Sequence, residues 1–270
     1  MTRHRFFLTH PFPQACTGAR GAAPLSAEDA HHALRVLRLR PAEEIDLVEP
    51  SGVAWHARVL ADSAQPTSEL RVELVEQLVV APEPDVTLVF GVLKGGKNED
   101  VIEGAVEVGV ASLLPALTDR CIVKLDAAKR ADRGDRWRRV ARAAAKQSKR
   151  SRVPHVADPA PLGELVATLA DRDLVIVAWE DAHGAGLAQR LAEASPAPGA
   201  RIAVIVGPEG GLTADEVAAM VAAGAVTCTL GPTILRAETA AVVAAALAVH
   251  ELGGLGGPAC ELAAGEDSTP

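Results

Sequence analysis

The chain has 270 residues, 49% apolar and 23% charged, a composition that excludes wholesale disorder and suits one large domain or two smaller ones. It holds no apolar run of about 18 residues, and its opening, with Arg3-His4-Arg5-Phe6-Phe7, forms no secretory leader; a cytoplasmic location is expected, with no membrane span. The net charge of −8 is unevenly spread: residues 1–119 carry −7, residues 120–152 carry +10 and residues 153–270 carry −11.

Residues 5–8 are strand-like, residues 46–48 lead into the turn Pro50-Ser51-Gly52, and residues 53–59 alternate with period two. Between them Ser26, followed by Glu28 and Asp29, caps a predicted helix that carries His31-His32 and Val36-Leu37-Arg38. Residues 1–78 therefore read as a small β-rich domain. Two prolines in Ala81-Pro82-Glu83-Pro84 mark a linker. Beyond it, strands predicted at 86–90, 112–114, 173–178, 201–206 and 226–230 alternate with helices predicted at 99–108, 133–150, 187–194, 213–223 and 238–252. Continuous apolar strands separated by helices imply, over residues 79–253, an α/β domain with a parallel sheet covered on both faces. The glycine-rich and then acidic stretch 254–270 is expected to be a mobile tail.

Three segments carry chemistry. In the basic block, Arg138, Arg142 and Lys146 recur every four residues, Lys149 or Arg150 continues the row, and Asp135 is the only acid from Arg133 to Arg152. A solvated charged face is the plain alternative, but such faces normally mix signs. With a Debye length of about 8 Å at physiological salt, acid elsewhere does not cancel this block. Phosphate contact is expected, whatever the acidic total.

The second segment runs from the buried strand Val204-Ile205-Val206 through Gly207-Pro208-Glu209-Gly210-Gly211 into a helix fixed by the capping box Thr213-x-x-Glu216. Glycines at the carboxyl end of a strand let a ligand approach the backbone, although a tight turn without a ligand has the same look. No Lys-Ser/Thr follows and the spacing is not G-x-G-x-x-G, which removes both familiar phosphate fingerprints. In the third segment, 229–240, Arg236 is one of only two basic residues between 201 and 252. An arginine in an apolar turn either finds a carboxylate such as Glu238 or Glu209, or reaches a ligand. His31 and His32 are adjacent and cannot share a metal on one helix face. Cys16, Cys121, Cys228 and Cys260 form no C-x-x-C pair, so neither a metal nor a disulfide is expected.

Several of these elements, in this order, resemble the RsmE family of ribosomal RNA methyltransferases, of the knotted SPOUT class. They are Arg5-Phe6-Phe7, His31-His32 with Val36-Leu37-Arg38, and Lys94 with Glu107-Val108-Gly109-Val110. Gln147-Ser148-x-Arg150 with Pro154, the Gly207 to Gly211 turn, and Leu230-Gly231-x-x-Ile234-Leu235-Arg236-x-Glu238-Thr239-Ala240 complete the set. The resemblance implies a PUA-like RNA-binding domain, a trefoil-knotted parallel sheet with helices on both faces, and a homodimer. It implies S-adenosylmethionine as cofactor and N3 of a uridine in 16S ribosomal RNA, on the small subunit, as methyl acceptor. It carries the cofactor onto Gly207, Pro208, Glu209, Gly210, Gly211, Leu230, Gly231, Ile234 and Leu235, with Ala178, Trp179 and Glu180 as a third loop. Arg236 would stabilise charge on the base, and solvent or Glu238 would take the N3 proton; no metal is called for. Arg5, Arg38, Lys94, Arg138, Arg142, Lys146, Gln147 and Arg150 would meet the RNA. Thr233, Ala237 and Lys146 depart from the family's usual arginine, threonine and acid. The alternatives are a knotted methyltransferase for another RNA or base atom, and a non-catalytic ribosome-assembly factor.

Overall fold

The computed structural model describes residues 3–61, 69–80 and 82–256. The chain divides into two compact units: residues up to 81 together with Ala145–Val153, and Pro82–Ala144 together with Pro154–Gly257. The segment 145–153, which lies inside the 79–253 expected for the second domain, thus packs with the first unit. Of the expected tail 254–270, everything from residue 257 on lies outside the described residues.

In the first unit, β1 (His4–Phe7), β2 (Arg20–Ala22), β3 (Glu44–Val48), β4 (Ala54–Val59) and β5 (Arg71–Leu78) form one sheet in the order β1-β3-β4-β5-β2. β1 and β3 run parallel and the other pairs antiparallel. Ile45, Leu47, Trp55, Ala57, Val72 and Leu74 turn inward and close a core with Phe6 and Phe12. β2 and β5 are not among the expected strands. Ser26 caps α1 (Ala27–His31) by accepting the Asp29 N–H at 3.1 Å. The predicted helix then widens into one π turn over His32–Val36, closed by the Leu37 N–H on the His32 carbonyl at 2.9 Å.

The second unit runs β6 (Asp85–Gly91), α2 (Lys97–Val108), β7 (Ser112–Leu117), α3 (Ala127–Gln147), β8 (His155–Val156), β9 (Ala160–Pro161) and α4 (Leu162–Ala167). It continues with β10 (Leu174–Ala178), α5 (Leu187–Ala194), β11 (Arg201–Val206), α6 (Ala214–Ala222), β12 (Val226–Cys228) and α7 (Ala237–Glu251). The strands form an all-parallel sheet in the order β12-β10-β11-β6-β7-β8, with β9 beside β7. Val89, Val177, Ala203 and Ile205 pack against Leu162 and Leu165 of α4 and Val217 and Met220 of α6. α7 packs on α2, β6 and β11, and its buried Ala240, Ala241, Ala244, Ala245 and Ala248 keep those approaches close.

α3 corrects the sequence reading at both ends. It starts six residues earlier than predicted, where Asp126 accepts the Lys129 N–H at 2.9 Å and caps the helix. It stops at Gln147, because Lys149 takes a left-handed φ of 56° and the Arg150 N–H turns back to the Ala145 carbonyl at 3.0 Å. Lys149 and Arg150 therefore leave the stripe that begins at Arg138. Among the described residues no helix is long and apolar enough to cross a membrane.

Candidate ligand and RNA site

A parallel sheet delivers all its strand ends to one edge. β6, β10, β11 and β12 are neighbours in the sheet and end at Gly91, Ala178, Val206 and Cys228. The turns that follow therefore open side by side, where open α/β sheets bind ligands.

The turn after β11 is closed by the Gly211 N–H on the Pro208 carbonyl at 2.9 Å. Gly211 has φ +71°, and a Cβ there would lie 1.9 Å from Oε1 of Glu180, so the third loop sits hard against this turn. A Cβ on Gly91 would lie 2.4 Å from the Pro208 nitrogen, so the end of β6 touches it from the other side. The loop after β7 holds it as well. Arg120 donates to the Gly210 carbonyl at 3.1 Å, and the Asp119 N–H donates to Glu216 at 2.9 Å. The capping box is present: Thr213 Oγ1 accepts the Glu216 N–H at 3.2 Å and Glu216 accepts the Thr213 N–H at 2.8 Å.

The loop after β12 starts paired to the segment before α5, through Leu187 N–H to Thr229 O at 3.1 Å and Thr229 N–H to Ala185 O at 3.2 Å. Thr229 Oγ1 then accepts the Gly231 N–H at 3.2 Å. Beyond that the pairing stops. Among the described residues the N–H groups of Leu230, Ile234 and Leu235 have no partner, and the buried Trp179 Nε1 finds no acceptor. This loop is not buried, so its open backbone groups are free to bond water or a ligand. They fit the nucleoside of S-adenosylmethionine, whose base edge and ribose both donate and accept.

Arg236 is the N-cap residue of α7 and is exposed. Among the described residues its side chain makes no hydrogen bond or ion pair. Neither carboxylate expected to satisfy it does so; both contact Lys97, whose Nζ lies 3.3 Å from Glu238 Oε2 and 3.5 Å from Glu209 Oε1. Glu209 also accepts the Lys94 N–H at 3.2 Å. The Glu238 carboxyl is held below the ordinary carboxylate range, first by its own backbone N–H and then by Lys97. Sequence reasoning did not single out Lys97. It stands 141 residues before Glu238, and only the strand order brings the two together.

The residues nominated for RNA separate into two groups. Arg38, Lys94 and Gln147 are exposed. The others are engaged within the protein, the half-buried Arg142 among them. Arg138 bonds Asp135 at 2.8 Å, Asp158 at 2.9 Å and the Val156 carbonyl at 3.1 Å. Lys146 bonds the buried Asp29. Arg5 pairs with the buried Asp46 at 3.2 Å and donates to the carbonyls of Lys149 and Arg150; Arg150 itself is buried. The basic stripe is thus partly neutralised by Asp29 and Asp158, acids that lie outside the segment in which Asp135 stood as the only one. Among the described residues no cluster of His, Cys, Asp or Glu could hold a metal ion.

The RNA methyltransferase domain family matches residues 81–249, and the RNA methyltransferase PUA domain family matches residues 25–65. The chain belongs to the RNA methyltransferase family. Ribosomal RNA small subunit methyltransferase E of Mycobacterium bovis is 37% identical over 233 residues, 84% of this chain and 85% of its own length. The Bacillus subtilis protein of the same name is 32% identical over 222 residues, 82% of this chain and 86% of its own. The crystal structure of ribosomal RNA small subunit methyltransferase E from Neisseria gonorrhoeae, bound to S-adenosyl methionine, is 28% identical with a TM-score of 0.74. That match covers 91% of this chain and 96% of that one. The N-terminal PUA-like unit and the helix-flanked parallel sheet are thus those of the RNA methyltransferase family.

Proposed function

We propose that this chain is an S-adenosylmethionine-dependent methyltransferase acting on N3 of a uridine in 16S ribosomal RNA. The observation that carries the reading is an exposed Arg236, without a side-chain partner among the described residues, beside loop backbone whose donors are unpaired. The names of the relatives and the bound cofactor of the Neisseria structure support it. When bound, S-adenosylmethionine supplies an electrophilic methyl group on a sulfonium. The Gly207 to Gly211 turn, Leu230-Gly231, Ile234-Leu235 and the Ala178-Trp179-Glu180 turn would hold it.

Uracil N3 carries a proton at neutral pH and lies on the pairing edge, so an unpaired nucleotide is the cheaper target. As the proton leaves, negative charge spreads to the flanking carbonyl oxygens, and Arg236 neutralises it. Each unit by which N3 is acidified corresponds to about 1.4 kcal/mol. Glu238 is a poor acceptor for that proton. Its carboxyl is held acidic and is already bound to Lys97, which weakens it as a base. Arg38, Lys94 and Gln147 would meet the RNA. The homodimer and the cytoplasmic location belong to the same proposal; Ile234, 99% exposed, and Ile122, 70% exposed, leave apolar surface available to a second copy.

The test is to incubate the purified chain with labelled S-adenosylmethionine and small ribosomal subunits or naked 16S RNA, then map the label. Label at N3 of one uridine supports the reading. Label on a ribose or another base atom assigns a different RNA methyltransferase. No label, together with no calorimetric uptake of the cofactor, ends the enzyme reading.

A further inference from the structure

We propose that Lys97 is a positioning residue for methyl transfer: it occupies the two carboxylates that would otherwise neutralise Arg236, and so reserves that guanidinium for the acceptor base. The inference rests on the function proposed above. Three elements meet at one ammonium. Lys97 is the first residue of α2, Glu209 lies in the turn after β11, and Glu238 lies in the first turn of α7, two residues from Arg236. Glu209 is fixed from a second side by the Lys94 N–H.

Charge accounting gives the reason. The cluster holds two carboxylates, Glu209 and Glu238, and two cations, Lys97 and Arg236. Lys97 bridges both acids, which leaves the whole neutral and Arg236 uncommitted. Without Lys97 the cluster carries a net −1, and the other cation acting on Glu238 is Arg236, which already lowers that carboxyl's affinity for a proton. A guanidinium drawn onto Glu238 is no longer available to an oxyanion on the substrate.

The helix itself gives no reason for a lysine at this place. A cation at a helix N-terminus opposes the macrodipole, and Glu99 and Asp100 already supply the favoured charge to this first turn. The Lys97 side chain is also 40% exposed, so it does not serve to fill a core. What remains is its bridge between the two ligand loops.

The experiment measures single-turnover methyl transfer at saturating cofactor and RNA, and cofactor affinity by calorimetry, on the full chain. Lys97→Met and Lys97→Gln should each slow transfer by about tenfold while cofactor affinity changes by less than about twofold; Lys97→Arg should stay within about threefold of wild type. In a Glu238→Gln background the same Lys97→Met change should cost less than about threefold, because one of the two competing carboxylates, the one two residues from Arg236, is gone. A wild-type rate in Lys97→Met, an equal loss in both backgrounds, or a fall in affinity that matches the fall in rate would each overturn the inference. A structural prop for α2 would lower the thermal midpoint without recovery of the rate in the double variant. A wild-type chain that makes no N3-methyluridine overturns the function reading instead, before any variant is made.

Discussion

Lys146 donates its ammonium to the carboxylate of Asp29, a residue only 1% exposed. The partner sits 117 residues away in sequence, so the lysine reads as part of a basic stripe and turns out to close a buried ion pair. Removing Lys146 takes the ammonium partner from a carboxylate held away from water. Lys146→Met should therefore destabilise the chain by about 3 kcal/mol, and Asp29→Asn in the same chain should recover much of that loss. Urea unfolding of the two variants checks it; equal stability of wild type and Lys146→Met would make the pair incidental.

RNA affinity should follow the exposed cations rather than the helical stripe. For a single strand, each phosphate neutralised adds about −0.7 to the slope of log affinity against log salt. Arg38→Ala and Lys94→Ala should each weaken binding and make the slope shallower by about 0.7. Lys146→Met, measured where it is folded, should leave the slope as it was. Filter binding across a salt series distinguishes the two sets, and an equal change in all three would return Lys146 to the RNA surface.

How much of this was legible in the sequence depends on range. β11 and α5 lie where their apolar pattern predicts them, and the Thr213–Glu216 box is formed, because each is set by neighbours within a few residues. The glycine turn and the Arg236 loop come together because both follow parallel strands. What stayed hidden was the pairing of charges across the fold. Asp158 for Arg138, Asp29 for Lys146 and Lys97 for Glu238 are set by strand order and helix packing, which local periodicity does not encode. The end of α3 was missed for a related reason: a left-handed turn at Lys149 has no glycine to announce it.

Gly91 offers a test of the site's backbone. A methyl there would meet the Pro208 nitrogen and Cδ at 2.4 Å, and those atoms belong to a turn that cannot swing away as a flexible side chain does. Gly91→Ala should push the Gly207 to Gly211 turn outward and weaken cofactor binding by at least about tenfold, roughly 1.4 kcal/mol. Gly211→Ala meets instead the mobile end of Glu180, but at φ +71° it adds a backbone penalty of about 1 kcal/mol. Calorimetry on both should show cofactor affinity falling, with Gly91→Ala the more damaging.

The acid limb of stability should report the Lys97–Glu238 contact. The folded state holds the Glu238 carboxyl below its unfolded value of about 4.3, through its own N–H and Lys97. Folding therefore favours the ionised form. The stabilisation is complete above the unfolded value and disappears as pH falls through the lower folded one. Thermal midpoints of wild type and Glu238→Gln should differ near neutral pH and draw together in acid. A constant gap across that range would remove the carboxylate's charge from the account.

Arg236 separates binding from chemistry. Its guanidinium is exposed and has no side-chain partner among the described residues, so Arg236→Ala breaks no ion pair in the described chain and should leave the thermal midpoint nearly unchanged. The loop backbone that would hold the cofactor is untouched by the change, so cofactor affinity should move by less than about twofold. Methyl transfer should fall by about 100-fold or more, the scale of losing one fixed donor to a developing oxyanion. Because that charge exists only once N3 has lost its proton, raising the pH should recover part of the rate in Arg236→Ala and little in wild type. Arg236→Lys keeps the charge but not the planar pair of donors, and should fall between the two. Equal losses in affinity and rate would place Arg236 among the cofactor's contacts instead.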